Sequence, residues 1–166
     1  MSYEIAKASD AVAGGLIAGT KNTEVAKATG RFRMECYDKD GLLKWSAESQ
    51  NLVVNVGLQY MAGVALTSTA QTTTWYIGLY GAGASNTPAA GDTMASHAGW
   101  TEVTPYAGTR PAATFAAATN ANPSVVTNTA SPASFSINAT QTVGGAFLTS
   151  NSCQPVRRQS ICADRE

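Results

Sequence analysis

Charge is what this sequence has least of. Charged residues make up 13% of its 166 positions, about half of the roughly 25% usual in soluble domains. Lys plus Arg and Asp plus Glu number eleven each, so the formal net charge is zero. A neutral chain has no overall field to attract nucleic acid or an anionic membrane, and neither is expected as a partner. Histidine occurs once, at His97, and cysteine three times, at Cys36, Cys153 and Cys162. An odd, widely spaced set is not a disulfide framework. Metal ligation needs several His, Cys, Asp or Glu at suitable spacing, and that grouping is missing, so no metal and no cofactor is expected. No stretch reaches the roughly 18 apolar residues of a membrane span, and the start lacks the basic and apolar regions of a signal peptide. The chain therefore reads as made and used in the cytoplasm, where Cys153 and Cys162 stay thiols. A formal glycosylation sequon at Asn138-Ala139-Thr140 is then a chance match.

What charge there is lies unevenly. Seven of the eleven Lys/Arg fall in residues 1–48, only Asp92, Glu102 and Arg110 lie between Ser49 and Val156, and no charge occurs from Pro111 to Val156. A surface so poor in charge suits burial against other subunits better than free solution. At 44% hydrophobic residues the chain can bury a core, which excludes general disorder. Its length fits one domain.

Residues 1–29 are rich in Ala, Gly, Lys and Thr without a sustained period, and read as an extended or partly helical N-terminal arm. In GRFRMECYDKDGLLKWSAES, Phe32, Met34 and Cys36 alternate with Arg31, Arg33 and Glu35, the period of a half-buried strand. Asp40-Gly41 supplies a turn and LLKWSAE returns, giving a hairpin. Leu52, Val53 and Val54 read as a buried strand, after which Asn55 caps a helix near 55–66 with Leu58, Met61 and Ala65 on one face. WYIGLYG, SFSIN and TVGGAFLTS read as strands; TEVTPY and RPAATFAAA read as strands or edges, since Pro105 and Pro111 cannot sit centrally in a ladder. Asp92 is placed to cap the turn DTMASHAG. Short strands between Gly, Pro and Asn turns predict an all-β sandwich or jelly roll over 30–152.

Catalytic chemistry has little to work with. His97 beside Ser96, or paired with Cys36, lacks any surrounding nucleophile motif, and a structural histidine near a turn is the expectation. Asp92, Glu102 and Arg110 stand alone in a neutral half, and the simplest arrangement has Arg110 bridging both acids across a loop junction. GLYGAGASN has the glycines of a phosphate loop without its lysine or helix. Trp45, Trp75 and Trp100 with Tyr76, Tyr80 and Tyr106 suit a carbohydrate-stacking surface, or more simply a core. No enzyme is expected.

The segments NLVVNVGLQYMAGVAL, TTTWYIGLYG and DTMASHAGWTEVTPYAGTRPA resemble a family of tailed-bacteriophage virion proteins, with DTMASHAGWTE the most specific run. The resemblance extends from FRMECYDKDGLLKW to SFSINATQTVGGAFLTSN. It implies a β-rich capsid decoration or cement protein in the virion, assembled in the bacterial cytoplasm as a homotrimer on the major capsid protein. A tail-fibre or receptor-binding protein is the rival within the same class. The resemblance implies no enzyme and transfers no catalytic residue; Asp92, His97, Trp100, Glu102 and Arg110 are expected as a structural motif. In that family pattern a Gly/Thr/Ser-rich turn and an apolar strand follow the FLTSN-like strand. Residues 153–166, CQPVRRQSICADRE, replace them, either through a frameshift or as a basic arm that grips a neighbouring subunit.

Overall fold

In the computed structural model, residues 17–18, 24–25, 27–81 and 86–154 are described. Among them the chain is mostly antiparallel sheet with a single helix and no closed barrel. Strands β1 (Ile17–Ala18) and β2 (Glu24–Val25) form a minimal two-residue ladder. The remainder of the expected N-terminal arm up to residue 26 lies outside the described residues, as do residues 82–85 and the tail from 155 onward.

β3 (Arg31–Tyr37) and β4 (Leu43–Gln50) form the predicted hairpin. Burial alternates along β3 as the letters do, with Phe32, Met34 and Cys36 half-buried and the residues between them exposed. On the exposed side Arg33 donates to Glu35 Oε1 at 2.7 Å and the Tyr37 hydroxyl donates to Glu35 Oε2 at 2.6 Å. These two donors, Tyr37 first, hold the Glu35 carboxyl below its ordinary pKa. The turn is governed by a residue that the Asp-Gly signal did not mark. Asp38 Oδ1 accepts the amides of Asp40 and Leu42, both at 2.9 Å, while Gly41 takes the positive φ of 80° that glycine tolerates best.

Helix α1 spans Asn55–Leu66. The helix lies where the sequence puts it, but Asn55 is its first residue and not its cap. Val54 occupies the cap position with no side-chain bond, and the Asn55 amide donates instead to Ala90 O at 2.8 Å. Of the expected buried face, Leu58 is half-buried while Met61 and Ala65 are exposed. The helix docks through Tyr60, whose ring meets Trp75 edge-on at 5.4 Å and whose hydroxyl accepts the Thr72 amide at 2.6 Å. Leu52–Val54 is not a strand: Leu52 is exposed and no ladder partner reaches the segment among the described residues.

The main sheet is built on β5 (Trp75–Gly81), buried at Ile77, Gly78, Leu79 and Gly81. One edge of β5 is covered along its length by β8 (Val143–Thr149). The other is shared by β6 (Thr101–Glu102) at one end and β7 (Ala112–Ala113) at the other. The chain thus runs along β5, leaves it after Val103 and returns at Pro111, whose carbonyl accepts the Ile77 amide at 3.0 Å. The excursion, residues 104–110, lies against the SFSIN segment. That segment was expected as a strand and makes only a single bridge, Tyr106 with Ile137. Two prolines, Pro105 and Pro111, bracket the excursion and keep the ladder from continuing through it. Beyond β7, residues 114–127 are exposed without interruption and contain no strand.

Candidate functional site

On one face of β5 the register sets glycine opposite an aromatic ring twice, Gly78 with Phe147 and Tyr80 with Gly145. A Cβ built at Gly78 would run into the Phe147 ring, and one at Gly145 into the Tyr80 ring. Each ring therefore lies flat across the strand, in the hollow left by the glycine facing it. Trp100 packs over both, 5.7 Å from Tyr80 and 5.0 Å from Phe147 between ring centroids. His97 stacks on the far side of Trp100 at 3.9 Å and 17°.

The Trp100 indole, the Asp92 carboxylate and His97 Nδ1 are engaged. The Trp100 indole N–H donates to Asp92 Oδ2 at 2.9 Å, and the same oxygen accepts the Ala89 amide at 2.8 Å. His97 Nδ1 lies 3.0 Å from Trp100 O. Because a carbonyl only accepts, the proton sits on Nδ1. No hydrogen bond joins His97 to Ser96 or Cys36 among the described residues. DTMASHAGW thus folds as a self-tied loop in which Asp92 fixes the Trp100 ring. It does not cap the turn or meet Arg110.

Arg110 meets Glu102 alone. Nε and Nη2 donate to the two carboxylate oxygens at 2.8 and 2.7 Å, and the side chains are 3% and 1% exposed. Glu102 closes β6 and Arg110 immediately precedes Pro111, so the pair staples the mouth of the 104–110 excursion. Arg110 also lies 5.5 Å from the centre of the Phe147 ring and donates through Nη1 to Asn151 O at 2.8 Å. The sequence brings Glu102 and Arg110 together but assigns Asp92 wrongly. An indole eight residues away in the same loop is a nearer donor than a guanidinium across the sheet. Tyr80 belongs to the aromatic set expected in a core, whereas Phe147 and the two glycines carry no mark of their own. Their signal is the interleaving of glycine with aromatics in WYIGLYG and VGGAFLT, which becomes readable once the strands are in register.

The residues after β8 fasten the excursion from the other side. Ser152 O accepts the Arg110 amide at 2.9 Å, and Gln154 Nε2 donates to Gly108 O at 2.9 Å. Cys153 is disulfide-bonded and Cys36 is free, which corrects the expectation of thiols throughout the tail. That expectation came from the redox compartment, whereas bonding also depends on which sulfurs the chain brings within reach.

Tyr106 is buried at the centre of the excursion, edge-on to Phe135 at 5.0 Å, with its hydroxyl lacking a hydrogen-bond partner. Burial first, then the Glu102 charge, pushes the phenol up to about 12, while the Arg110 charge pulls the other way; the Gln154 amide donates to Gly108 O, not to this hydroxyl. The folded chain therefore holds this proton more tightly than the unfolded one. The stability so gained is complete below the unfolded phenol's pKa of about 10 and is lost as pH rises toward 12. Tyr106→Phe is expected to remove this alkaline loss without lowering stability at neutral pH, because the buried hydroxyl satisfies nothing. Urea unfolding at stepped alkaline pH checks it; a variant as alkali-sensitive as the parent contradicts it.

The three tryptophans occupy separate places and form no common stacking surface: Trp100 is buried, Trp75 lies against α1, and Trp45 is exposed on the hairpin. An open cavity of about 340 Å³ lies at the end of β5, lined by Gly81, Thr101, Glu102, Val103 and residues 140–142. The acid it contains is already held by Arg110. Among the described residues no group of three or more His, Cys, Asp and Glu is placed to hold a metal ion. No family model, curated protein or solved structure matches the chain.

Proposed function

We propose that this chain is a structural protein of a tailed-bacteriophage virion, a decoration or cement protein that binds the major capsid protein as a homotrimer and braces the head shell. The observation that carries the reading is the imbalance between core and surface. Only Ile77, Leu79, Trp100, Val103 and Tyr106 are buried among the large apolar residues described, whereas Leu42, Leu43, Trp45, Val125 and Val126 are exposed. Leu42 reaches 67% exposure. Apolar area left in water is stabilising only when another surface covers it, at about 25 cal/mol per Å². A protein that spends its working life between subunits meets that condition.

The polar clusters support the same reading. Asp92 holds the Trp100 ring, His97 stacks on it, and Glu102, the acid lining the cavity, is held by Arg110. The charged hairpin, with Arg31, Arg33, Glu35 and Glu48, suits docking to a shell through complementary pairs, which guide orientation more than they tighten binding. In the assembled state the hairpin and main sheet stack as the two layers of a sandwich or jelly roll, each covering apolar area that the other exposes.

Labelled-antibody electron microscopy of virions from the genome that encodes the chain tests the proposal. Label on the head supports it. Label on the tail replaces it with the tail-fibre or receptor-binding reading, and unlabelled particles overturn both.

A further inference from the structure

Helix α1 has a composition that its place in this body does not explain. Asn55–Leu66 contains no charged residue, yet none of its twelve residues is buried. A helix without a charged face is ordinarily covered on every side. This one is docked from one side, through Tyr60 on Trp75, and has no extended contact with any strand among the described residues. On the side away from Tyr60 lie Leu58, Met61, Ala62 and Ala65, spaced so that all four share one arc of the helix. Met61 and Ala65 are exposed, and Leu58 and Ala62 are half-buried.

Side-chain size along this arc runs large, large, small, small. A second α1 laid antiparallel, with a two-fold axis between residues 61 and 62, sets Leu58 against the partner's Ala65 and Met61 against the partner's Ala62. Each large side chain then enters the space over a small one, as ridges enter grooves. A parallel pair in the same register would instead set Leu58 on Leu58 and Ala65 on Ala65. The electrostatics agree. α1 has no side-chain cap, no acid in its first turn and no base in its last, so its own side chains leave the partial charges of its backbone ends unopposed. Antiparallel packing sets each positive end beside the partner's negative one. A two-fold contact also brings every group near its own copy, where a charge would be repelled, and α1 carries none.

We infer that α1 is a two-fold contact, packing through Leu58, Met61, Ala62 and Ala65 antiparallel on the α1 of a second copy. Any apolar segment would cover the arc, but only a second α1 answers both its order of sizes and its unopposed ends. Twelve residues a side fall short of the roughly 20–30 of a standard interface, so the contact is a weak one by itself. It goes beyond the virion reading and does not rest on it, since a two-fold joins single chains or whole trimers alike.

Sedimentation equilibrium of the full chain up to about 1 mM, the range of weak contacts, tests the inference. The mass of the parent should rise toward twice its value at low concentration. Met61→Lys and Ala62→Glu, both to good helix formers, should each weaken this association at least about tenfold, because like charges then face each other across the axis. Mixed one to one, the two variants should associate again, since the new cation of one chain meets the new anion of the other. A parent whose mass does not depend on concentration, a variant that associates like the parent, or a mixture that stays apart while folded by circular dichroism overturns the inference. If either variant fails to fold, Leu58→Lys with Ala65→Glu, opposed across the same axis, takes the place of the pair. Presence on the head or absence from virions decides the reading above and leaves this contact as it stands.

Discussion

Replacing Arg110 by alanine is expected to lower the unfolding free energy by about 3–5 kcal/mol, the cost of leaving one buried charge without its partner. Against a total of roughly 5–15 kcal/mol for a domain, that is at least a fifth of the stability. Three contacts are lost together: the two-pronged bond to Glu102, the bond to Asn151 O and the cation over Phe147. With them go the staple of the 104–110 excursion and one tie to the segment after β8. Arg110→Lys keeps the charge but not the fork, and should fall between the parent and alanine. A double replacement, Glu102→Leu with Arg110→Met, should cost less than either single removal, because no charge is then stranded. Urea unfolding at one fixed protein concentration measures these three and the single Glu102→Leu and Arg110→Met variants against the parent. A loss below about 1 kcal/mol for Arg110→Ala would mean that the pair is solvated in solution.

Gly78→Ala is the second large effect, about 1–3 kcal/mol or more from overpacking. The added methyl has no free volume, since the Phe147 ring occupies the place where it would go. Ring and strand would have to separate, disturbing Trp100 and the Arg110 guanidinium that rest on the same ring. Phe147→Leu frees part of that space at its own cost, so the double variant should be more stable than the sum of the singles predicts. Strict additivity would show that the ring does not lie over Gly78.

These two effects differ in how far the letters alone announce them. Glu102 and Arg110 are conspicuous because the half of the chain around them is nearly uncharged, and a lone acid with a lone base in such a region invites pairing. The alternation at Phe32, Met34 and Cys36, and the runs WYIGLYG and TVGGAFLTS, mark three strands for the same kind of reason: a local pattern repeats with the period of the element. Gly78 and Phe147 carry no such local sign, since their relation exists only through the pairing of β5 with β8. Leu52–Val54 and SFSIN show the converse. Both have strand-like composition, but a strand is made by a partner. The first has none among the described residues and the second finds one at Ile137 alone. Asp92 was misassigned because charge attracts attention to charge, while the nearest donor was the neutral indole of Trp100.

The account rests on the claim that the apolar surface left open by this body is covered in a phage head. Co-sedimentation of the full chain with head shells purified without it tests that claim most directly. The account predicts saturable binding that raises the temperature at which the shells come apart. A chain that stays in the supernatant at every ratio, while remaining folded by circular dichroism, would contradict it.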